Sequence, residues 1–189
     1  LQVVVPLVAA PLCVLVRYRE AAWWVAMAAS LAALVIAAVL LAAVLDTGTV
    51  SYELGGWMAP WGIEYRIDTA NAFVLLLVAL IGTVSLGFAR SSVAAEIPED
   101  SGALFYCAWL LCLTGMLGIT TTGDVFNLFV FLEISSLSSY VLISLGRDRR
   151  ALVAAFQYLV LGTLGASFLL IGVGMLYMMT GTLNMADLA

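Results

Sequence analysis

Between residues 125 and 145 an otherwise uncharged apolar run carries one charged side chain, Glu133. Placing an acid near the middle of a bilayer costs roughly 2.5–3.5 kcal/mol on insertion scales, a cost met where the group faces a bundle interior, water or a partner. A low dielectric favours the neutral carboxyl, so such a residue could take up and release protons unless a cation holds it ionised. At 100° per residue, Ser136 and Tyr140 share a helix face with Glu133 at i+3 and i+7 and would extend a stripe of hydroxyls along it. Gln157, about two turns into the next apolar run, adds an amide that can donate and accept but cannot carry charge. Together these four residues read as a proton-transfer path. The competing reading makes Glu133 a protonated, hydrogen-bonded contact residue, the serines close-packing positions and Gln157 an interhelical bond.

The rest of the composition narrows the chemistry further. The 189 residues are 65% hydrophobic and 10% charged, with seven Arg, twelve Asp plus Glu, no Lys and no His. Soluble domains are nearer half apolar and a quarter charged, so a water-soluble globule is excluded, and a formal charge of -5 removes the basic footprint of a nucleic-acid binder. Without His, haem and most zinc chemistry lose their usual ligand. Cys13, Cys107 and Cys112 lie in apolar runs without C-x-x-C spacing and read as packing residues. No glycine fingerprint, phosphate loop or catalytic constellation is present, so neither an enzyme site nor a cofactor or metal site is expected.

To position Glu133, the chain offers apolar runs near 1–16, 22–45, 70–89, 103–121, 125–145 and 152–179. The expected fold is all-α: a polytopic bundle of about six membrane helices in a single transmembrane region, 1–189. Positive charge stays on the cytoplasmic side. Arg17, Arg19, Arg90, Arg147, Arg149 and Arg150 fall on one face of that topology, leaving Arg66 in an external loop. This loop, from Val50 to Asp68, alternates around Gly and Pro and reads as an external β-hairpin. Arg90 to Ser101 reads as a solvated loop, and Asp124 as a helix cap. Gly162, Gly165, Gly172 and Gly174 read as small-residue helix contacts. Leu1 opens an apolar run without a charged leader region or small-residue cleavage site, so no signal peptide is read there, and both ends are expected to lie within a longer chain.

Three segments carry a family resemblance: TTGDVFNLFVFLEISSLSSYVLIS, AAFQYLVLGTLGASFLLIGVGMLYMMTGTLNMADLA and YELGGWMAPWGIEYRID. Together they resemble the amino-terminal part of the D-type subunit of multisubunit Mrp-type sodium/proton antiporters, itself similar to the antiporter-like subunits of respiratory complex I. The resemblance implies a protein of roughly fourteen helices with two inverted repeats, in a hetero-oligomer of membrane subunits. It also implies coupled movement of protons and a monovalent cation across a bacterial cytoplasmic membrane, and pairing of the acid at Glu133 with a Lys on a later helix. This chain has no Lys, so that partner is expected beyond Ala189. Relatives often carry Lys where this chain has Gln157 before Tyr158, which removes a second cation from the path. Two other readings remain open: a redox-driven pump subunit of complex I or a membrane-bound hydrogenase, and a structural membrane scaffold.

Overall fold

The computed structural model describes residues 1–189. Its order is α1 (Val4–Val16), α2 (Arg19–Thr47), β1 (Val50–Glu53), β2 (Glu64–Ile67), α3 (Thr69–Glu96), α4 (Gly102–Thr121), α5 (Val125–Ser144), α6 (Arg149–Thr180) and α7 (Met185–Leu188). Five of these, α2 to α6, are long and apolar enough to cross a membrane. With 13 residues, α1 reaches only about 20 Å, less than the roughly 30 Å hydrocarbon core. The six expected spans are therefore five long helices and one short one. The short helix ends at Arg17, whose φ of 62° is left-handed and breaks the helix before α2 begins.

The centre of the bundle is α4, which packs against α1, α2, α3 and α5 and buries Leu110, Leu113 and Leu117. From α2 comes a ridge of small residues, Ala22, Ala26, Ala29, Ala33 and Ala37, all buried, at the three- and four-residue spacing of one helix face. Lipid tails are as apolar as leucine, so membrane helices gain by close packing of small side chains more than by hydrophobic burial. Buried Ala72, Leu75, Ala79, Gly82, Thr83 and Leu86 of α3 line its inner face, and Thr83 Oγ1 donates to the Ser30 carbonyl of α2 at 3.1 Å. At the Arg-bearing end, Trp23 Nε1 donates to the Leu86 carbonyl, the Arg90 guanidinium stacks over the Trp23 ring, and Arg90 pairs with Glu20.

The segment expected to be a solvated loop is largely helical. Beyond the apolar run, α3 continues to Glu96, and a short 3₁₀ turn, Glu99–Ser101, leads into α4. Val93 and Ile97 are buried in the main core cluster, so one face of this polar stretch is held by packing. The hairpin is present: β1 and β2 pair antiparallel with Val50 opposite Ile67 and Glu53 opposite Glu64. Its tip is open, with Trp61 90% exposed.

Candidate functional site

Two glycines determine how α5 sits. A Cβ at Gly115 would lie 2.6 Å from the Ser135 backbone nitrogen, and one at Gly118 would overlap the Phe131 ring. Without side chains at these points α4 and α5 approach closely, and Phe131, Ser135 and Ser139 mark the α5 face turned to α4. Cys112 of α4 lies 3.8 Å from Ser135 Oγ and 3.5 Å from Ser139 Oγ. This thiol–hydroxyl seam is not part of the sequence reading, in which Cys112 is packing alone; its signal is the four-residue spacing of Ser135 and Ser139.

Glu133 is two residues from both Phe131 and Ser135, hence about 160–200° around the helix from the α4 contact. It is half-buried rather than buried, and it takes part in none of the side-chain hydrogen bonds or the single ion pair of the chain. α5 turns this face away from the central helix, so a buried position for this membrane carboxyl is not confirmed among residues 1–189. Ser136, on the same side, is half-buried too. Tyr140 is buried, packs edge-on against Tyr158 at 4.9 Å, and sets its hydroxyl against Gly162 of α6, where a Cβ would leave no room. Gln157 stands apart. It is exposed and lines an open groove with Arg149, Arg150, Val153 and Ala154. From Glu133 to Tyr140 and from Gly162 to Gln157 the helix rises sum to roughly 18 Å along the antiparallel pair, too far for direct transfer. Glu133, Ser136 and Tyr140 therefore share one face, and Gln157 lies beyond them. Of the four α6 glycines, Gly162 makes the close contact expected of it, whereas Gly165, Gly172 and Gly174 have nothing within 4 Å.

The outer end of the site is held by a polar clasp. Asp124 caps α5, as its position predicts, accepting from the Asn127 backbone at 2.7 Å, while Asn127 Nδ2 donates to Thr122 Oγ1. The chain after α6 returns to this turn: Val125 N donates to Leu183 O and Met185 N to Gly123 O, while Gly123 N donates to Glu64 O of the hairpin. Glu64 accepts from Ser51 Oγ at 2.6 Å and from Asn184 Nδ2 at 2.8 Å. These two bonds, of which Ser51's is the stronger, hold its carboxyl below the usual range, helped by Arg66. Glu64 and Asn184 are 120 residues apart, so only the alternation of Glu64 with Arg66 and the polar composition after α6 hint at them.

A carboxylate with a depressed pKa stabilises the fold above its unfolded value, and that contribution is lost as pH falls through the folded value. The clasp should therefore be intact at neutral pH and loosen only below the roughly 4.3 of a free Glu. Asn184→Ala should cost about 1 kcal/mol at pH 7 in the thermal stability of the protein, a partly exposed charge-assisted bond being worth less than a buried one. The deficit relative to the parent should shrink as pH falls below the ordinary Glu range and the carboxylate protonates, and a deficit unchanged by that acidification would exclude the Glu64 carboxylate as the partner that matters.

Residues 122–189, which hold α5, α6 and the returning segment, match the family described as NADH:quinone oxidoreductase/Mrp antiporter, transmembrane. Over 164 residues, 86% of this chain and 32% of the relative, it is 49% identical to the N-type subunit of NADH-quinone oxidoreductase from Desulforudis audaxviator. Over 77% of this chain and 29% of the relative, it is 38% identical to the D-type subunit of the Na(+)/H(+) antiporter from Alkalihalophilus pseudofirmus. Among solved structures it superposes on a chain of the archaeal membrane-bound sulfane sulfur reductase with a TM-score of 0.89 and 33% identity, covering 100% of this chain and 38% of that one. The Mrp complex from Dietzia sp. DQ12-45-1b gives 0.87 and 29%, covering 98% and 35%. The chain spans about a third of the length of these relatives. The class that the fold and these relatives define is the antiporter-like membrane subunit, a multi-pass membrane protein. Within that class the resemblance extends to the D-type subunit of the Mrp-type antiporters.

Proposed function

We propose that this chain is the leading part of a proton-translocating subunit of a multisubunit monovalent cation/proton antiporter, with Glu133 as the proton carrier. The observation that carries the reading is the position of Glu133: the one charged residue within α5, without an ion pair in this chain, on the same face as Ser136 and Tyr140. A carrier carboxyl takes up a proton as a cationic partner moves away and gives it up as that cation approaches. In the resemblance that cation is a Lys on a later helix of the same polypeptide. Ser136 and Tyr140 supply hydroxyls through which bridging water could pass the proton, and Gln157 lies near the Arg-bearing mouth as an amide outpost. The protein would work among other membrane subunits in a bacterial cytoplasmic membrane, carrying ions rather than performing an enzymatic reaction.

The 49% identity to a quinone oxidoreductase component favours a second reading, in which electron transfer in partner subunits drives the same carboxyl. Everted vesicles containing the assembled complex separate the two. Proton movement that responds to an imposed sodium or potassium gradient without an electron donor supports antiport. Movement that requires the donor supports the redox pump. Flux unchanged by Glu133→Gln, with normal assembly, would remove the carrier role and leave a scaffold.

A further inference from the structure

Between α1 and α4 lies an open groove of about 760 Å³, walled by Leu7, Pro11 and Val14 on one side and by Cys107 and Leu111 on the other, with Arg17 at one end. From Leu7 to Arg17 the helix rises roughly 15 Å, half of the roughly 30 Å hydrocarbon core, so the groove has the depth of a single leaflet. Apart from Arg17 its named walls are apolar. Arg17 makes none of the side-chain hydrogen bonds of the chain, whose one ion pair joins Arg90 to Glu20. Its neighbour Arg19 is engaged otherwise, its aliphatic stem lying where a Cβ on Gly102 would have to go. Arg17 is also the one non-glycine residue in the left-handed region, a conformation that glycine adopts freely and that strains an L side chain. A strained, uncompensated cation at the headgroup end of a one-leaflet apolar groove is unexplained by the packing of the bundle.

We infer that this groove is a binding site for one anionic phospholipid of the Arg-bearing leaflet, an acyl chain lying between α1 and α4 and the headgroup phosphate engaging Arg17. The apolar walls suit an acyl chain, and the planar guanidinium suits a phosphate bidentately. The adjacent Tyr18, 77% exposed, belongs at the same interfacial depth. The inference is independent of the antiport reading, because it involves none of Glu133, Ser136, Tyr140 and Gln157 and requires no ion movement.

The test uses the protein in its purified membrane complex, reconstituted into nanodiscs of phosphatidylcholine containing phosphatidylglycerol with a diazirine on one acyl chain. Phosphatidylcholine bearing the same diazirine serves as the reference probe. Cross-links should fall on α1 and on the 107–111 stretch of α4, with the anionic probe in excess. Arg17→Gln should lower that excess about fivefold, the factor one interfacial Arg contributes near an anionic surface. Arg17→Gly, which keeps the left-handed turn, should lower it equally, and Arg17→Lys should retain most of it. Leu111→Trp, which fills the groove, should reduce labelling by both probes. Labelling elsewhere only, equal labelling by the two probes, or an excess that survives Arg17→Gly would overturn the inference. So would oxidative cross-linking of Cys107 to a helix of another protein in the complex, which would mean that protein covers the groove.

Discussion

Glu133→Gln is expected to lower cation-coupled proton flux in everted vesicles about 100-fold or more while leaving the amount of assembled complex unchanged. Glutamine keeps the shape of the side chain and a capacity for hydrogen bonding, and it removes the ability to ionise and so to bind and release a proton. The loss should therefore be of the order attached to removing a proton-transfer group, about 10²–10⁴. Assembly should survive because Glu133 is half-buried and bonds to no group of this chain, so its neutralisation leaves no orphaned partner. Glu133→Asp should retain part of the flux, since the carboxyl persists but is withdrawn by one methylene. Ser136→Ala should have a much smaller effect, because bridging water can replace one hydroxyl. If flux in Glu133→Gln equals that of the parent, the carrier is another group and the Ser136–Tyr140 face is only a contact surface. If assembly falls along with flux, Glu133→Asp separates the roles: a structural carboxylate would restore assembly and flux together, whereas a carrier would restore assembly fully and flux partly.

How far these features are legible depends on whether they are local in sequence. The long helices follow from hydropathy, because each spans enough consecutive apolar residues to cross the bilayer, and the hairpin follows from alternation around Gly and Pro. Glu133 stands out by residue type alone, and the 100° rule places Ser136 and Tyr140 beside it. The same rule does not tell which neighbour that face meets, and only the fold shows Tyr140 on it turned toward α6. The α3 extension is hidden because Arg90 to Glu96 looks polar, although Val93 and Ile97 are buried and keep the face packed. The short α1 is hidden because Arg17 reads as an ordinary loop cation, and its left-handed backbone is visible only in the fold. The clasp of Glu64 and Asn184 exists only after residues 120 positions apart are brought together, which no local pattern encodes.

The α4–α5 seam sets the rotation of α5, and through it the face on which Glu133 stands, so its tightest point should be the position least tolerant of change. At Gly115 the atoms in the way are backbone, the Ser135 nitrogen at 2.6 Å and the Phe131 carbonyl oxygen at 2.7 Å, which cannot rotate aside. At Gly118 the obstacle is the Phe131 ring, a side chain with some freedom to move. Gly115→Ala should therefore destabilise the protein by about 2–3 kcal/mol, at the upper end of the cost of overpacking, and Gly118→Ala by less. Gly165→Ala, on α6 with nothing within 4 Å, makes the sign of the effect decisive. Alanine is intrinsically the better helix former by up to about 1 kcal/mol, so a glycine without a packing role should yield neutral or stabilised protein. Thermal unfolding of the solubilised complex should thus rank Gly165→Ala at or above the parent, Gly118→Ala below it and Gly115→Ala lowest. Gly115→Ala should also impair proton flux in the surviving protein, because prising α5 from α4 displaces Glu133 without touching it. Parental stability in Gly115→Ala would mean that the two helices do not approach as closely as the Ser135 backbone requires.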